Sequence, residues 1–163
     1  SGIDSINYNE AVAKSEYDTG ARNMALANFL KSYDNLHNEV SDVLDFYCHI
    51  CALEMTCEEL ARTFLLFAKH GMSIPTEKFT ISRSMIKRVN AIMQTCGFYD
   101  ESGQFAFKVG LPGKSGVGGG IVAVYPLKYS IAVWSPRLNA KGNSIRGIKA
   151  LELLTSKSDM SIF

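Results

Sequence analysis

The chain of 163 residues has little net charge and no long apolar run. Its 17 Lys and Arg side chains nearly balance 16 Asp and Glu side chains, which leaves a formal net charge of +1. A basic surface for nucleic acid or for an anionic membrane is therefore not expected. No segment reaches the roughly 20 consecutive apolar residues that cross a bilayer. We expect no nucleic-acid partner, no membrane partner and a cytoplasmic location.

Cysteine is scarce, and its spacing argues against a metal or redox site. Cys48, Cys51 and Cys57 lie in or beside one apolar segment with helical periodicity. A redox pair normally opens a helix, where the helix dipole lowers the thiol pKa, and a zinc site needs a second pair of ligands at suitable spacing. Neither condition is met, so the sequence predicts reduced thiols in a hydrophobic core.

Glycine is concentrated in one place, residues 110–120. Six glycines stand there around Lys114 and Ser115, directly before the apolar residues 121–125. Because glycine has no Cβ, a ligand can approach the main chain closely along such a segment. The composition indicates an edge of the fold that faces a substrate.

Two nucleotide-binding interpretations of this glycine-rich segment fail on spacing. A phosphate loop needs a glycine five residues before its final Gly-Lys, and Lys108 occupies that position. Gly118, Gly120 and Ala123 fit a loose dinucleotide fingerprint, which requires a helix after it. Residues 121–125 are β-branched or aromatic for the most part and predict a strand instead.

The remaining interpretation assigns Lys114-Ser115-Gly116 to the edge of an antiparallel sheet. This tripeptide resembles the Lys-Thr-Gly element of penicillin-recognising serine enzymes, where a backbone N–H of the strand helps to form an oxyanion hole. A tight loop between two strands, rich in glycine only for its geometry, is the alternative.

Hydrophobic periodicity predicts an α+β fold, with helices first and a small antiparallel sheet later. Residues 1–163 are expected to form one partial domain that is mainly helical over 1–100 and contains strands and a C-terminal helix over 101–163. The predicted helices cover residues 9–16, 20–33, 42–54 and 80–95, a segment that begins with a Thr56 capping box, and a last helix capped by Asn143. The predicted strands cover residues 104–108, 121–125 and 129–134, and the residues after Ser156 are expected to form a loose tail.

Five segments, in this order along the chain, together resemble one enzyme family. They are Ser15-Glu16 with Arg22-Asn23, Asp45-Phe46-Tyr47, residues 90–100 (Asn-Ala-Ile-Met-Gln-Thr-Cys-Gly-Phe-Tyr-Asp), Gly110-Leu111-Pro112 with residues 114–121 (Lys-Ser-Gly-Val-Gly-Gly-Gly-Ile), and Gly142-Asn143-Ser144 with Arg146-Gly147. They resemble the C-terminal half of the serine-dependent glutaminases, which have the β-lactamase and penicillin-binding-protein fold. The resemblance implies hydrolysis of L-glutamine to L-glutamate and ammonia without a metal or organic cofactor, in a protein that is usually a homo-oligomer.

The resemblance also implies roles for individual residues. Glu16 matches the acid that receives the α-ammonium group of the substrate, and Asn23 matches the amide that holds its α-carboxylate. Tyr47 and Tyr99 match two site tyrosines near the nucleophile and its leaving group. Val117 matches the residue whose backbone N–H holds the developing oxyanion.

Supporting roles at the same edge fall to Lys114, Ser115 and Gly116. The nucleophile of the family is the serine of a Ser-x-x-Lys motif upstream of all matched segments. The resemblance therefore implies that the chain is a fragment, inactive alone, whose partner is the missing N-terminal half of the domain.

Ser84 and Lys87 also form a Ser-x-x-Lys, but they lie in a predicted helix far from the family position, and we interpret them as a chance match.

Two other functions remain open on the sequence. One is a penicillin-binding or β-lactamase-type hydrolase, against which Glu16 argues because an acid that binds an ammonium group has no evident use there. The other is a non-catalytic interaction module that descends from the same fold.

Overall fold

The computed structural model describes residues 6–73 and 75–163 and contains two compact units. The first unit ends at Met55 and the second begins at Thr56. No helix in the described ranges is long and apolar enough to cross a membrane.

The first unit contains three helices, α1 (Glu10–Asp18), α2 (Ala21–Ser32) and α3 (Val40–Cys51). Asn9 caps the N-terminus of α1: its side-chain oxygen accepts a hydrogen bond from the Val12 N–H and so satisfies one of the free donors of the first turn. The predicted break between α1 and α2 is confirmed at Thr19-Gly20. Both helices pack against α3, and the small core contains Ala27, Val40 and Leu44.

A histidine joins α1 to α3 in this unit. His49 Nδ1 lies 2.7 Å from the main-chain oxygen of Asp45, and its Nε2 lies 3.7 Å from a carboxylate oxygen of Glu10. Its ring packs against that of Tyr8 in a T-shaped arrangement with 4.8 Å between the centroids. The hydrogen bond to Asp45, with the charges of Asp45 and Glu10, raises the pKa of His49 above its ordinary value although burial opposes the shift.

We expect the first unit to lose stability as the pH rises through the pKa of His49. Because the folded-state pKa is raised, the stabilisation is fully present below the unfolded value of about 6.5 and disappears above the folded one. Thermal unfolding between pH 5.5 and 8.5 tests this, with His49→Gln as the variant that should flatten the dependence. An unchanged profile in that variant would contradict the assignment.

The second unit contains four helices and three strands among the described residues. They are α4 (Cys57–Ala68), α5 (Arg83–Cys96), α6 (Ser102–Lys108), β1 (Gly113–Ser115), β2 (Gly120–Tyr125), β3 (Tyr129–Trp134) and α7 (Ile145–Ser158), with a 3₁₀ turn at Tyr99–Glu101. The capping box at Thr56 is confirmed, since its hydroxyl accepts the Glu59 N–H while the Glu59 carboxylate accepts the Thr56 N–H.

The three strands form an antiparallel sheet in the order β1-β2-β3, which confirms the predicted fold class. Side chains of β2 alternate between two buried faces. Ile121 and Ala123 pack into a core with Phe98 and Leu151, whereas Val124 packs against α4 and α5. Helices therefore cover both faces of the sheet.

The predicted strand over residues 104–108 is wrong, because these residues belong to α6. The alternation of Phe105 and Phe107 is typical of a strand. In the structure Phe105 and Val109 are both buried, which is the i, i+4 spacing of one helix face, and Phe107 is 91% exposed.

Two predictions about the C-terminal helix are also wrong. Ser144 caps α7 by accepting the Gly147 N–H at 3.1 Å, while Asn143 is fully buried and bonds elsewhere. The tail is not loose: α7 continues to Ser158, and the Ile162 N–H donates to the Gly110 carbonyl at 2.9 Å.

Candidate active site

The glycine-rich segment forms the hairpin between β1 and β2. The Gly116 N–H donates to the Gly120 carbonyl and the Gly119 N–H donates to the Gly116 carbonyl, both at 3.0 Å, and Gly119 has a φ of 93°. This is the hydrogen-bond pattern of a three-residue hairpin loop closed by a left-handed residue. Lys114 and Ser115 are in β1 and Gly116 begins the loop, so the edge-strand and tight-loop interpretations describe neighbouring parts of one hairpin.

The backbone N–H of Val117 points out of this loop. The Gly116 carbonyl is turned toward Gly119, and because a trans peptide is planar, the Val117 N–H on the same peptide points the opposite way. It donates to no acceptor in residues 6–73 and 75–163. Val117 therefore presents a free donor whose direction the hairpin fixes.

A tryptophan of β3 supports the tip of the hairpin. The indole N–H of Trp134 donates to the Gly118 carbonyl at 2.8 Å, and the Ser135 N–H donates to the Gly119 carbonyl at 3.1 Å. Two hydrogen bonds from outside the loop thus limit its movement next to Val117.

Tyr99 follows the end of α5, as the sequence predicts from Gly97. The Gly97 carbonyl accepts the Ser115 N–H at 3.1 Å, and a Cβ at Gly97 would stand 1.9 Å from the Gly113 carbonyl oxygen. Only glycine allows α5 to end this close to β1. Tyr99 itself has a φ of 51°, a left-handed conformation that costs a non-glycine residue about 1–2 kcal/mol.

Three of the predicted site residues meet here. The ammonium group of Lys114 lies over the Tyr99 ring, 5.0 Å from its centroid, and also donates to the Ser115 carbonyl. Gly142 lies beside both Tyr99 and Val117: a Cβ on it would be 3.6 Å from Cε2 of Tyr99 and 3.7 Å from Cγ1 of Val117. A cation, a half-exposed phenol and a free N–H therefore share one surface of the second unit.

Three further predicted residues lie in the first unit. Glu16 is near the C-terminal end of α1, Asn23 is in the first turn of α2, and both are partly buried, while Tyr47 is a half-exposed residue of α3. Burial raises the pKa of the Cys48 thiol, and the charges of Cys51 and Glu16 raise it further.

The sequence interpretation missed a carboxylate–amide cluster beside Tyr99. Glu101 Oε2 accepts hydrogen bonds from the side-chain amides of Asn143 at 2.6 Å and Asn139 at 2.7 Å. Nothing in the sequence marks Glu101 as a member of this cluster. The signal for the cluster is the Gly142-Asn143-Ser144 segment, but the sequence prediction makes Asn143 a helix cap.

The other clusters carry no comparable arrangement. Ser84 and Lys87 are exposed on α5, and no hydrogen bond joins their side chains in the part of the chain that the structure describes. Within the same part of the chain, no three His, Cys, Asp or Glu side chains are grouped as metal ligands.

A family model described as Glutaminase matches residues 1–163. The chain belongs to the glutaminase family. It is 57% identical over its whole length to a glutaminase of Saccharophagus degradans and 52% identical over 99% of its length to one of Christiangramia forsetii. The chain covers 53% of each of these proteins, so it spans about half the length of the curated relatives it matches.

Solved structures of glutaminases have the same fold. The Bacillus subtilis glutaminase YbgJ, in its covalent complex with 5-oxo-L-norleucine formed by reaction with 6-diazo-5-oxo-L-norleucine, is 36% identical with a TM-score of 0.91. The similarity covers 97% of this chain and 57% of that one. A probable glutaminase, ybaS, gives a TM-score of 0.90 at 35% identity over 97% of this chain and 51% of its own. The glutaminase resemblance and the partial β-lactamase-like fold are thereby confirmed.

Proposed function

We propose that the protein to which this chain belongs hydrolyses L-glutamine to L-glutamate and ammonia, through an acyl-enzyme on a serine outside residues 1–163. Family membership and the glutaminase names of relatives that match the whole chain support the substrate. The observation that carries the mechanism is the free Val117 N–H, fixed by the hairpin beside Tyr99 and Lys114. Because the chain covers about half of its relatives, the remaining half is the expected source of the nucleophile.

The proposed reaction uses the Val117 N–H to stabilise charge and the phenols of Tyr47 and Tyr99 near the reacting groups. The serine oxygen attacks the side-chain amide carbon of glutamine, and the negative charge that develops on the carbonyl oxygen is stabilised by the Val117 N–H. The C–N bond then breaks as the proton released from the serine hydroxyl is passed to the leaving nitrogen, which departs as ammonia. Tyr47 and Tyr99 are assigned to the surroundings of the nucleophile and its leaving group, where a phenol can transfer a proton. Water cleaves the acyl-enzyme to release glutamate.

The first unit is assigned to recognition of a free amino acid. Such a substrate carries both an ammonium group and a carboxylate, and each needs a partner as the site loses water. The Glu16 carboxylate pairs with the ammonium group, and the Asn23 amide donates to the carboxylate. Lys114, Ser115 and Gly116 support the edge from which Val117 projects.

Replacing Glu16 tests the recognition step. In the intact protein, Glu16→Gln keeps the shape of the side chain and removes its charge, so we expect kcat/KM for L-glutamine to fall about 10- to 150-fold, as for loss of a hydrogen bond to a charged group worth about 1.5–3 kcal/mol. Ammonia release measured against glutamine concentration gives the ratio. The control is Asp18→Asn, which removes a carboxylate of the same helix whose exposed partner is Lys14. Equal effects of the two substitutions would contradict the role of Glu16.

A direct comparison of substrates tests the function as a whole. The intact protein should release ammonia from L-glutamine and should not open a chromogenic β-lactam. Lactam hydrolysis without ammonia release would favour the penicillin-recognising alternative, and neither activity would favour the interaction module.

The family resemblance also supports three broader proposals. The intact protein is a cytoplasmic homo-oligomer, it uses a serine nucleophile, and it needs no metal or organic cofactor. Sedimentation of the intact protein tests the assembly, and ammonia release after treatment with a chelator tests the independence from metals.

A further inference from the structure

The loop between β3 and α7 is closed on itself by a ring of hydrogen bonds. The Asn139 N–H donates to the Asn143 carbonyl at 2.8 Å, and the Asn139 side-chain oxygen accepts the N–H groups of Lys141 and Asn143, both at 3.0 Å. Gly142 at its tip has a φ of 88°, a conformation that favours glycine. These hydrogen bonds fix the shape of the loop where Gly142 lies beside Tyr99 and Val117.

Asn143 connects this loop to the peptide that precedes Tyr99. Its side-chain amide is fully buried and donates to the Phe98 carbonyl at 3.2 Å as well as to Glu101 Oε2 at 2.6 Å. Both partners are acceptors, so they fix which end of the amide is the nitrogen. The Phe98 carbonyl, which also accepts the Glu101 N–H at 2.8 Å, and the Tyr99 N–H belong to one rigid peptide plane, so Asn143 and the Glu101 N–H hold its orientation together.

Other contacts of Phe98 show that this peptide is held from several sides. The Phe98 N–H donates to the Ser102 hydroxyl at 3.0 Å, and its fully buried ring stacks on Phe105 with 3.6 Å between centroids. A left-handed tyrosine persists only where its surroundings fix it. Among these contacts, the hydrogen bond from Asn143 is the one that links the peptide to the loop between β3 and α7, which lies beside Val117.

Glu101 is suited to anchor the amide because it stays ionised. Burial opposes ionisation, but the hydrogen bonds from Asn143 and Asn139 and the charges of Lys141 and Lys108 outweigh it and hold the pKa of Glu101 below its ordinary value. An ionised carboxylate only accepts hydrogen bonds, so it keeps the Asn143 nitrogen in place.

We propose that Asn143 is a positioning residue for glutamine hydrolysis. Its amide, anchored by Glu101, helps to hold the Phe98–Tyr99 peptide and thereby fixes the position of the Tyr99 phenol relative to Val117, with Gly142 beside both residues. The inference rests on the proposed function, in which Tyr99 and the Val117 N–H act on the reacting amide. Glu16 and Asn23, which are proposed to recognise the α-groups, belong to α1 and α2 of the first unit, whereas Asn143 and Tyr99 belong to the second. Loss of the amide should therefore lower kcat and leave KM nearly unchanged.

The decisive variant is Asn143→Asp in the intact protein. The substituted carboxyl has almost the same shape but turns an oxygen toward the Phe98 carbonyl and the Glu101 carboxylate. We expect kcat for ammonia release to fall about 10- to 100-fold, the scale of a displacement of about 1 Å in a reacting group, and KM to stay within about threefold. The matched control is Asn28→Asp, an exposed asparagine of α2 whose amide donates to the Met24 carbonyl, which should leave both constants unchanged.

A spectroscopic readout separates this inference from the proposed function. In protein labelled with 3-fluorotyrosine, the ¹⁹F signal of Tyr99 is assigned by its absence in Tyr99→Phe. It should shift in Asn143→Asp and not in Asn28→Asp, whether or not the protein hydrolyses glutamine. If the wild-type protein released no ammonia from glutamine and the Tyr99 signal still shifted in Asn143→Asp, the positioning would be upheld and the proposed function overturned.

A second pair of variants decides the matter if Asn143→Asp does not fold. Glu101→Gln keeps an acceptor for the Asn143 amide, and Glu101→Ala removes it. We expect the first to retain most of kcat with a Tyr99 signal close to its wild-type position, because one acceptor oxygen remains, and the second to lose about three- to tenfold in kcat with a shifted signal. Equal behaviour of the two Glu101 variants, or an unmoved Tyr99 signal in folded Asn143→Asp, would overturn the proposal.

Discussion

The 163-residue chain on its own is expected to release no ammonia from L-glutamine above the uncatalysed background. It carries the proposed oxyanion donor, the two tyrosines and the recognition residues, but the attacking serine is assigned to the part of the protein that the chain does not cover. Removing the nucleophile of a serine hydrolase lowers kcat by a factor of about 10⁶. No combination of the remaining groups compensates, because they stabilise a charge that forms only after attack.

The measurement is ammonia release by the purified chain, with circular dichroism to show that its helices are formed and the intact protein as the active control. Turnover by the chain alone would contradict the assignment of the nucleophile. If Ser84→Ala then abolished this turnover, the Ser84 and Lys87 pair would have to be reinterpreted as catalytic.

The second large effect is expected from removing a single backbone hydrogen. Val117→Pro deletes the N–H that the hairpin leaves free, and kcat of the intact protein should fall about 100- to 1000-fold, the usual cost of one oxyanion donor, about 2.7–4 kcal/mol. KM should change much less, because the charge that this donor stabilises is present in the transition state and not in bound glutamine.

The hairpin geometry makes this substitution feasible. Val117 is the second residue of the turn closed by the Gly119 N–H and the Gly116 carbonyl, a position where proline is favoured, and its N–H has no partner to lose in the described residues. Val117→Ala is the matched control, since it shortens the side chain and keeps the N–H. A proline variant as active as the alanine variant would contradict the role of this donor.

Most of the sheet and the hairpin could be predicted from the sequence. Residues 121–125 and 129–134 are rich in β-branched and aromatic residues, and Pro126 starts a connection too short for anything but antiparallel neighbours. The structure confirms this pairing, with Tyr125 opposite Tyr129. The edge strand at Lys114-Ser115 was the remaining interpretation, because Lys108 excludes a phosphate loop and the strand over residues 121–125 excludes a dinucleotide fingerprint.

The part that could not be predicted depends on contacts between distant residues. Asn143-Ser144 contains two good helix caps, and local pattern does not choose between them. The choice is made by Glu101, 42 residues away along the chain, which takes the asparagine amide and leaves the serine as the cap. The helix α6 was missed for a similar reason, because Phe105 and Phe107 alternate locally while only the buried core shows that Phe105 pairs with Val109.

The most direct test of the central claim is a crystal structure of the intact protein after reaction with 6-diazo-5-oxo-L-norleucine, the reagent that forms the covalent complex of the Bacillus subtilis glutaminase YbgJ. We predict a covalent bond to a serine outside residues 1–163, with the 5-oxo oxygen about 3 Å from the Val117 nitrogen and the amino and carboxyl groups of the adduct bound by Glu16 and Asn23. A bond to any residue of this chain, or an adduct whose oxygen does not contact Val117, would contradict the account.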